Sequence, residues 1–259
     1  MEKKKGISGS TLKMIAIVTM LIDHIGAAVL ARLLMVNGLG ELDQTNTDAI
    51  MQWLSANGAL YGTYTVMRMI GRVAFPIFCF LLVEGFLHTH DVKKYAMRLG
   101  LFALLSEIPF DLAFSSKILE FNYQNVFFTL FIGLLTMIAY RAVEEKEEWG
   151  QAWKVILYIL IVAAGMALAY FLKTDYAEKG VFCIMVLYIF RKKKMWQLIA
   201  GCASFIWETP ALFGFIPIAF YNGTRGWKME YFFYIFYPAH LLILYLLCYF
   251  MGISGYSAV

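Results

Sequence analysis

The stretch LKMIAIVTMLIDHIGAAVLARLLMV at positions 12–36 decides the fold class of this chain. A helix over these positions is about 37 Å long at ~1.5 Å per residue, which is enough to cross a ~30 Å hydrocarbon layer. It follows a basic leader that contains Lys3, Lys4 and Lys5. The stretch is longer than the apolar core of a secretory signal and lacks a small-residue cleavage site. We therefore predict a retained membrane-spanning helix.

The composition of the whole chain agrees with this prediction. Of its 259 residues, 61% are hydrophobic and 15% are charged, and the mean hydropathy is +0.67. Soluble domains are about half apolar and about a quarter charged. The sequence therefore predicts an all-α, polytopic transmembrane helix bundle that occupies 1–259 as a single integral membrane domain.

Two classes of binding site are not expected from the composition. The net charge of +4 is too small and too dispersed for a nucleic-acid-binding protein. The four cysteines lie inside apolar runs without metal-ligand spacing, which is typical of packing residues. We expect neither a nucleic-acid partner nor a metal.

Further apolar runs predict the remaining helices. They lie at 60–87, 94–114, 125–141, 153–172, 177–190 and 231–251. The run at 195–221 is interrupted by Glu208, Pro210 and Pro217, so it fits either two short tilted helices or a broken, re-entrant pair. We therefore expect about eight or nine membrane crossings.

The distribution of Lys and Arg predicts the orientation. These residues are concentrated in four places, namely the leader and the stretches 93–98, 141–154 and 191–194. The intervening loops at 37–57, 115–124 and 173–179 are poorer in them. Because cytoplasmic loops carry the excess of Lys and Arg, the amino terminus is predicted to be cytoplasmic.

Ionisable side chains occur inside the predicted helices, where each costs at least about 2.5–3.5 kcal/mol at the centre of a span. Asp23 and His24 lie near the middle of the first helix, and Arg68 and Arg72 share one face of the second. The other polar residues predicted to line the interior are Glu84, Glu107, Asp111, Asn125, Glu208 and His240. Small-residue packing usually suffices for helix association, so this load predicts a shared, water-accessible cavity.

These residue types suit acid–base chemistry on an acyl group. A histidine beside a carboxylate can act as a general base, and Asp23 would orient the ring of His24. An arginine pair can bind phosphate or a developing oxyanion. No nucleophile-elbow motif is present, which favours direct transfer to an acceptor.

Several alternatives stay open at the level of the residues. Either His24 or His240 could be the base. The same charges could form the relay of a small proton-coupled membrane transporter. They could also be structural ion pairs in a scaffold for another membrane protein.

Six motifs resemble the TraX family of membrane proteins, and together they extend over nearly the whole chain. They are DHIG at 23–26, RMIGRVAFPIFCFLLVEGFLHT at 68–89, RLGLFALLSEIPFDLAF at 98–114, NVFFTLFIGLL at 125–135, YNGTRG at 221–226 and FYIFYPAHLLIL at 233–244. The family is named for a conjugation protein that acetylates the amino terminus of pilin.

The resemblance implies a multi-pass acetyltransferase of the bacterial inner membrane, in contact with membrane lipid and with acetyl-CoA as acyl donor. The acceptor, an amine or hydroxyl of pilin, a surface glycan or a lipid, stays open. Related polytopic acyltransferases carry a histidine in an early helix and an arginine pair nearby, which suits His24, Arg68 and Arg72. The phosphates of acetyl-CoA would bind cytoplasmic cations, for which we select Arg98, Arg225 and Lys228.

Overall fold

The computed structural model describes residues 5–228 and 230–257, so Lys3 and Lys4 of the predicted leader lie outside the described residues. The described backbone is helical and contains no strand, only two isolated β-bridges. This confirms the predicted all-α class. The α-helices are α1 (Gly9–His24), α2 (Ala31–Val36), α3 (Thr47–Gly71), α4 (Ala74–His88), α5 (Val92–Ser115), α6 (Val126–Glu144), α7 (Gln151–Phe171), α8 (Ala177–Ile189), α9 (Lys194–Ser204), α10 (Phe215–Ala219) and α11 (Glu230–Phe250).

Several helical stretches are long and apolar enough to cross a membrane, as expected of a multi-pass membrane protein. Within the described part of the chain there are five, namely Gly9–Val36, Thr47–His88, Val126–Glu144, Gln151–Phe171 and Tyr231–Phe250. Helix α8 has 13 residues and α9 has 11, whereas a helical crossing needs about 20. The predicted eight or nine crossings are not confirmed.

The first span contains a local change of helix type. Ser8 begins α1 by accepting a hydrogen bond from the backbone N–H of Thr11. After His24 the backbone widens into a π-helix over Ile25–Leu30 and returns to α-helix in α2. Such wide turns are rare and are often found at functional sites.

The second span differs from the single helix predicted at 60–87. Helix α3 begins earlier, at Thr47, where the Asn46 side chain accepts from the N–H of Ala49 at 3.1 Å. The span is then divided between Gly71 and Ala74. Pro76 explains the division, because proline has no N–H to donate to the carbonyl four residues earlier and its ring clashes there.

The segment after α8 is re-entrant. Helix α9 is about 16 Å long at ~1.5 Å per residue, and the chain returns through the 3₁₀ turn Thr209–Gly214 and α10. At the end of this excursion the Tyr221 carbonyl accepts a hydrogen bond of 2.9 Å from Lys194 Nζ. This contact fits both interpretations of the segment, because two crossings would also return the chain to the same side. The length of α9 distinguishes them, since its 11 residues reach only about half of the ~30 Å needed to cross. Of the two interpretations of 195–221, the structure has the re-entrant one.

The bundle has two chemically different ends. At the basic end, named for Lys13, Arg98, Lys194 and Arg225, Gly9 N–H donates to the Thr224 carbonyl at 2.7 Å. At the other end, here called the loop end, the loops 115–124, 172–176 and 251–257 meet. Gln124 N–H there donates to the Lys173 carbonyl at 3.0 Å.

Arg32 holds the loop end together and is fully buried. Its guanidinium donates to carbonyls at the end of α5, to Ser116 Oγ at 2.9 Å and to the Tyr256 carbonyl at 2.9 Å. The last carbonyls of a helix lack partners within the helix. Arg32 therefore ties the first span, the end of α5 and the segment after α11 to one another.

Helices α1 and α3 approach most closely at Gly71. A Cβ atom added to Gly71 would lie 2.1 Å from the Cβ of Asp23, far inside van der Waals contact. Gly58 and Gly62 lie on the same helix, where an added Cβ would meet no atom within 4 Å. The absence of a side chain at position 71 is therefore a packing requirement.

We predict that Gly71→Ala lowers the free energy of unfolding by roughly 1–3 kcal/mol, because the added methyl group forces α1 and α3 apart. The matched controls Gly58→Ala and Gly62→Ala replace glycine by a better helix former at open positions. They should leave the thermal unfolding midpoint in detergent unchanged or raise it. An unchanged midpoint for Gly71→Ala would contradict this account of the α1–α3 packing.

Candidate functional site

A cavity of about 100 Å³ lies inside the bundle, between α1, α3, α4, α5, α11 and the loop end. This volume is about three times the ~30 Å³ that a water molecule occupies in the liquid. The four residues predicted to be catalytic, Asp23, His24, Arg68 and Arg72, all line it. Most of the remaining wall is aromatic or aliphatic. The structure thus brings the predicted core of the site together.

A histidine pair at the cavity wall joins the first helix to the last: His24 lines the cavity, whereas His240, predicted to line it, contacts His24 and does not line the cavity itself. Nδ1 of His24 lies 2.6 Å from Nε2 of His240, and the two ring planes are parallel within 1° with their centres 4.9 Å apart. Because the two nitrogens are only 2.6 Å apart while the ring centres are 4.9 Å apart, both nitrogens lie on the line between the ring centres. The rings therefore meet edge to edge in an in-plane hydrogen bond and do not stack face to face.

The hydrogen bonds of this pair assign its protons. Nδ1 of His240 lies 2.7 Å from the Phe236 carbonyl, which can only accept, so that nitrogen carries a proton. In the neutral pair Nε2 of His240 is then an acceptor, and Nδ1–H of His24 donates to it. Nε2 of His24 is left as an unprotonated nitrogen on a ring that lines the cavity. This is the arrangement required of a general base.

Asp23 and Arg68 form the second element of the site. Arg68 Nη1 donates to Asp23 Oδ2 at 2.7 Å. The other oxygen, Oδ1, is buried against Gly71 and has no hydrogen-bond partner among the described residues. Asp23 therefore pairs with an arginine, and the orientation of the His24 ring, which we had assigned to Asp23, comes from His240.

Arg72 is held by the re-entrant segment and by the loop end. Its Nε lies 3.6 Å from Glu208 Oε1, at the inner tip of the re-entrant segment. Tyr176 of the loop end also lies close enough to the Arg72 guanidinium for the two groups to interact. Glu208, predicted to face the interior, thus reaches the cavity through Arg72.

Sequence reasoning missed the residues that the loop end contributes, Tyr123, Asp175 and Tyr176, all of which line the cavity. Tyr123 donates from its hydroxyl to Asp175 Oδ1 at 2.6 Å. Burial raises the pKa of the Asp175 carboxyl, whereas this hydrogen bond and the charges of Arg72 and Arg68 lower it. The signal in the sequence that could have indicated these residues is the polar run Thr174-Asp175-Tyr176 between two apolar helices, which resembles an ordinary loop.

The other residues predicted to line the cavity are engaged elsewhere. Asn125 caps α6 and contacts Glu107, and its amide donates to the Ala103 carbonyl at 2.8 Å. Asp111 accepts from the N–H of Glu120 at 2.8 Å. Glu84 lies 4.0 Å from Nδ1 of His88 and close to Tyr221, at the basic end. None of these residues lines the cavity.

The cations predicted to bind the donor lie at or next to the basic end. Arg98 stacks on Tyr234, with its guanidinium carbon 5.6 Å from the ring centre. Lys13 lies 5.0 Å from the Phe233 ring centre, close enough to Arg98 and Arg225 for their charges to act on it. Lys228 directly precedes the undescribed residue 229. The structure thus adds Lys13, a residue of the first helix, to the predicted set.

Among the described residues no group of three or more His, Cys, Asp and Glu side chains is arranged to hold a metal ion. The described cysteines, Cys79, Cys183, Cys202 and Cys248, are free.

Comparison with known proteins identifies the family of the chain. Residues 8–248 match the profile of a protein family described as "TraX protein". The chain is also 26% identical, over 278 aligned positions, to "Probable fimbrial assembly protein FimC, serogroup H1" of Dichelobacter nodosus. That alignment covers 94% of this chain and 97% of the relative. No solved structure matches the chain. Because the family profile extends from the start of α1 almost to the end of α11, the chain belongs to the TraX family.

Proposed function

We propose that this protein transfers an acetyl group from acetyl-CoA to an amine or hydroxyl of a pilin or another fimbrial component at the bacterial inner membrane. The observation that carries the proposal is the His24–His240 pair, which leaves an unprotonated nitrogen on a ring that lines a small cavity, and two arginines line the same cavity. Membership of the TraX family and the relative named as a fimbrial assembly protein support the acceptor class.

In the proposed reaction the acceptor attacks the thioester carbonyl directly. Nε2 of His24 takes the proton from the attacking nitrogen or oxygen as the new bond to the acetyl carbon forms. The C–S bond then breaks, and the thiolate of CoA leaves and takes up a proton from the His24 imidazolium. His240 keeps the His24 ring in the required tautomer throughout, because its own Nδ1–H is committed to Phe236.

The arginines would stabilise the negative charge that develops on the carbonyl oxygen. Donors fixed in advance are the most effective stabilisers of such charge, since they need no reorganisation during the reaction. Asp23 holds Arg68, and Glu208 and Tyr176 hold Arg72. These contacts neutralise the guanidinium groups between reactions and limit their movement.

The donor would bind from the basic end, which the distribution of Lys and Arg predicts to be cytoplasmic. Lys13, Arg98 and Arg225 converge there and provide positive charge for phosphates. Lys13 and His24 are separated by about 16 Å along the first helix at ~1.5 Å per residue. An extended pantetheine arm can cover this distance.

The first prediction concerns the base. His24→Ala should lower the rate of acetyl transfer by about 10²–10⁴-fold, which is the usual contribution of a general base. His240→Ala should lower the rate less, because the His24 ring remains in place and only its tautomer is no longer fixed. Label transfer from radioactive acetyl-CoA by protein in nanodiscs measures both effects.

The matched control for the base is His88→Ala. The side chain of His88 is 70% exposed and lies outside the cavity, so this variant should retain full activity. Wild-type rates in a folded His24→Ala variant would remove the histidine from the mechanism.

The second prediction concerns the donor. Lys13→Gln should raise the KM for acetyl-CoA by about fivefold with little change in kcat, because a phosphate contact of the half-buried Lys13 ammonium is worth roughly 1 kcal/mol. The effect should shrink at high ionic strength, as screening weakens the contact in both proteins. Lys146→Gln, in the loop between α6 and α7, is the control and should not change KM. Equal KM values for wild type and Lys13→Gln would place the donor phosphates elsewhere.

A further inference from the structure

The loop that carries Asp175 is held in an unusual backbone conformation. Lys173, Tyr176 and Ala177 have positive φ angles of 53°, 63° and 41°, which non-glycine residues rarely adopt. Strain of this kind persists only where the surrounding structure enforces it, and it is concentrated at functional sites. The strained turn directs both Asp175 and Tyr176 into the cavity wall.

The neighbouring chain enforces this conformation. The backbone N–H of Asp175 donates to the Gln124 carbonyl at 2.8 Å, next to the β-bridge between Gln124 and Thr174. Thr129 of α6 donates to the Asp175 carbonyl and contacts the Thr174 hydroxyl. The Asp175 side chain is therefore preorganised, with Tyr123 fixing one of its oxygens.

The charges around the cavity do not balance. Asp23 is paired with Arg68, and Glu208 with Arg72. Asp175 is a third carboxylate beside these two pairs, and the hydrogen bond that its side chain receives comes from a neutral phenol. The two lysines closest to Asp175 in the sequence have other contacts, since Lys173 donates to Asn122 and Lys179 lies over the Trp207 ring.

A buried carboxylate outside an ion pair, such as that of Asp175, is stabilised when a cation binds to it. Burial disfavours the ionised form of Asp175, and the charges of Arg72 and Arg68 offset this only in part. An ammonium group would supply both the missing charge and up to three hydrogen-bond donors. An alcohol would supply one donor and no charge. The cavity therefore discriminates between the two classes of acceptor that the proposed function leaves open.

We propose that Asp175, positioned by Tyr123, is the acceptor-binding residue of the site and selects a protonated primary amine that enters from the loop end. This inference rests on the proposed function. The ammonium docks on the Asp175 carboxylate and leaves one proton there. The resulting neutral amine attacks the thioester while Nε2 of His24 takes its second proton and passes it to the departing CoA thiolate, so that the products are the amide, CoA thiol and a proton on Asp175.

The test compares binding with turnover in full-length protein in nanodiscs. Binding is measured by titration with a short peptide that has a free amino terminus, and with the same peptide carrying an amino-terminal acetyl group. Wild type should prefer the free peptide by about 10- to 100-fold, the usual contribution of hydrogen bonds to charged groups. Asp175→Asn should abolish this preference, and Tyr123→Phe should reduce it.

The control and the kinetic measurements separate the inference from the proposed function. Asp43→Asn alters an exposed acid of another loop, between α2 and α3, whose partner is Thr45, and should behave as wild type. In Asp175→Asn the KM for the peptide should rise 10- to 100-fold, whereas Asp43→Asn should leave both this KM and acetyl-CoA hydrolysis without acceptor unchanged.

Three outcomes separate a failure of this inference from a failure of the proposed function. A wild-type preference for the free amine that persists in folded Asp175→Asn would exclude Asp175 while leaving acetyl transfer in place. Binding of the free peptide through Asp175 without any acetyl transfer would instead contradict the proposed function. A wild type that does not distinguish the two peptides would refute amine selection directly.

Discussion

The ion pair between Asp23 and Arg68 is the constraint on which the rest of the site depends. A charged group inside the hydrocarbon layer needs an opposite charge or polar groups as its partner. Asp23 and Arg68 can form their ion pair because α1 and α3 are in close contact at Gly71. That contact places His24, the next residue, on the cavity wall. It also places Arg72 where the re-entrant segment can reach it. The position of the helices and the position of the reactive groups are therefore set by one contact.

Much of the site could be predicted because helical geometry relates nearby positions to each other. Arg68 and Arg72 share a face through their spacing of four, and antiparallel neighbouring spans bring Asp23 to a similar depth. The contact between His24 and His240 joins residues 216 positions apart, so no local rule reveals it. Asp175 was missed for a related reason, since its placement depends on a β-bridge between two loops that look unremarkable in the sequence.

The number of membrane crossings is the feature of the fold that hydropathy alone does not determine. Hydropathy identifies apolar stretches, but it does not tell whether a stretch crosses the layer or turns back within it. At 195–221 the decisive information is the length of α9, which ends at Ser204 after 11 residues. Hydropathy likewise did not reveal that the second span begins near Thr47, because the polar residues of its first turns resemble a loop.

The π-helix at Ile25–Leu30 has a consequence for how this protein can change over time. A wide turn accommodates one residue more than an α-helical turn of the same length, so removing a single residue there would restore regular winding. If all its residues were kept and the turn rewound as regular α-helix, the part of the span after it would rotate by about 100°, the angle per residue of an α-helix. Arg32 would then face away from the end of α5, and its hydrogen bonds to α5 and to the last segment would be lost. The wide turn therefore keeps Arg32 on the correct face of the span, and it marks a position at which the span can lose one residue without rotating Arg32.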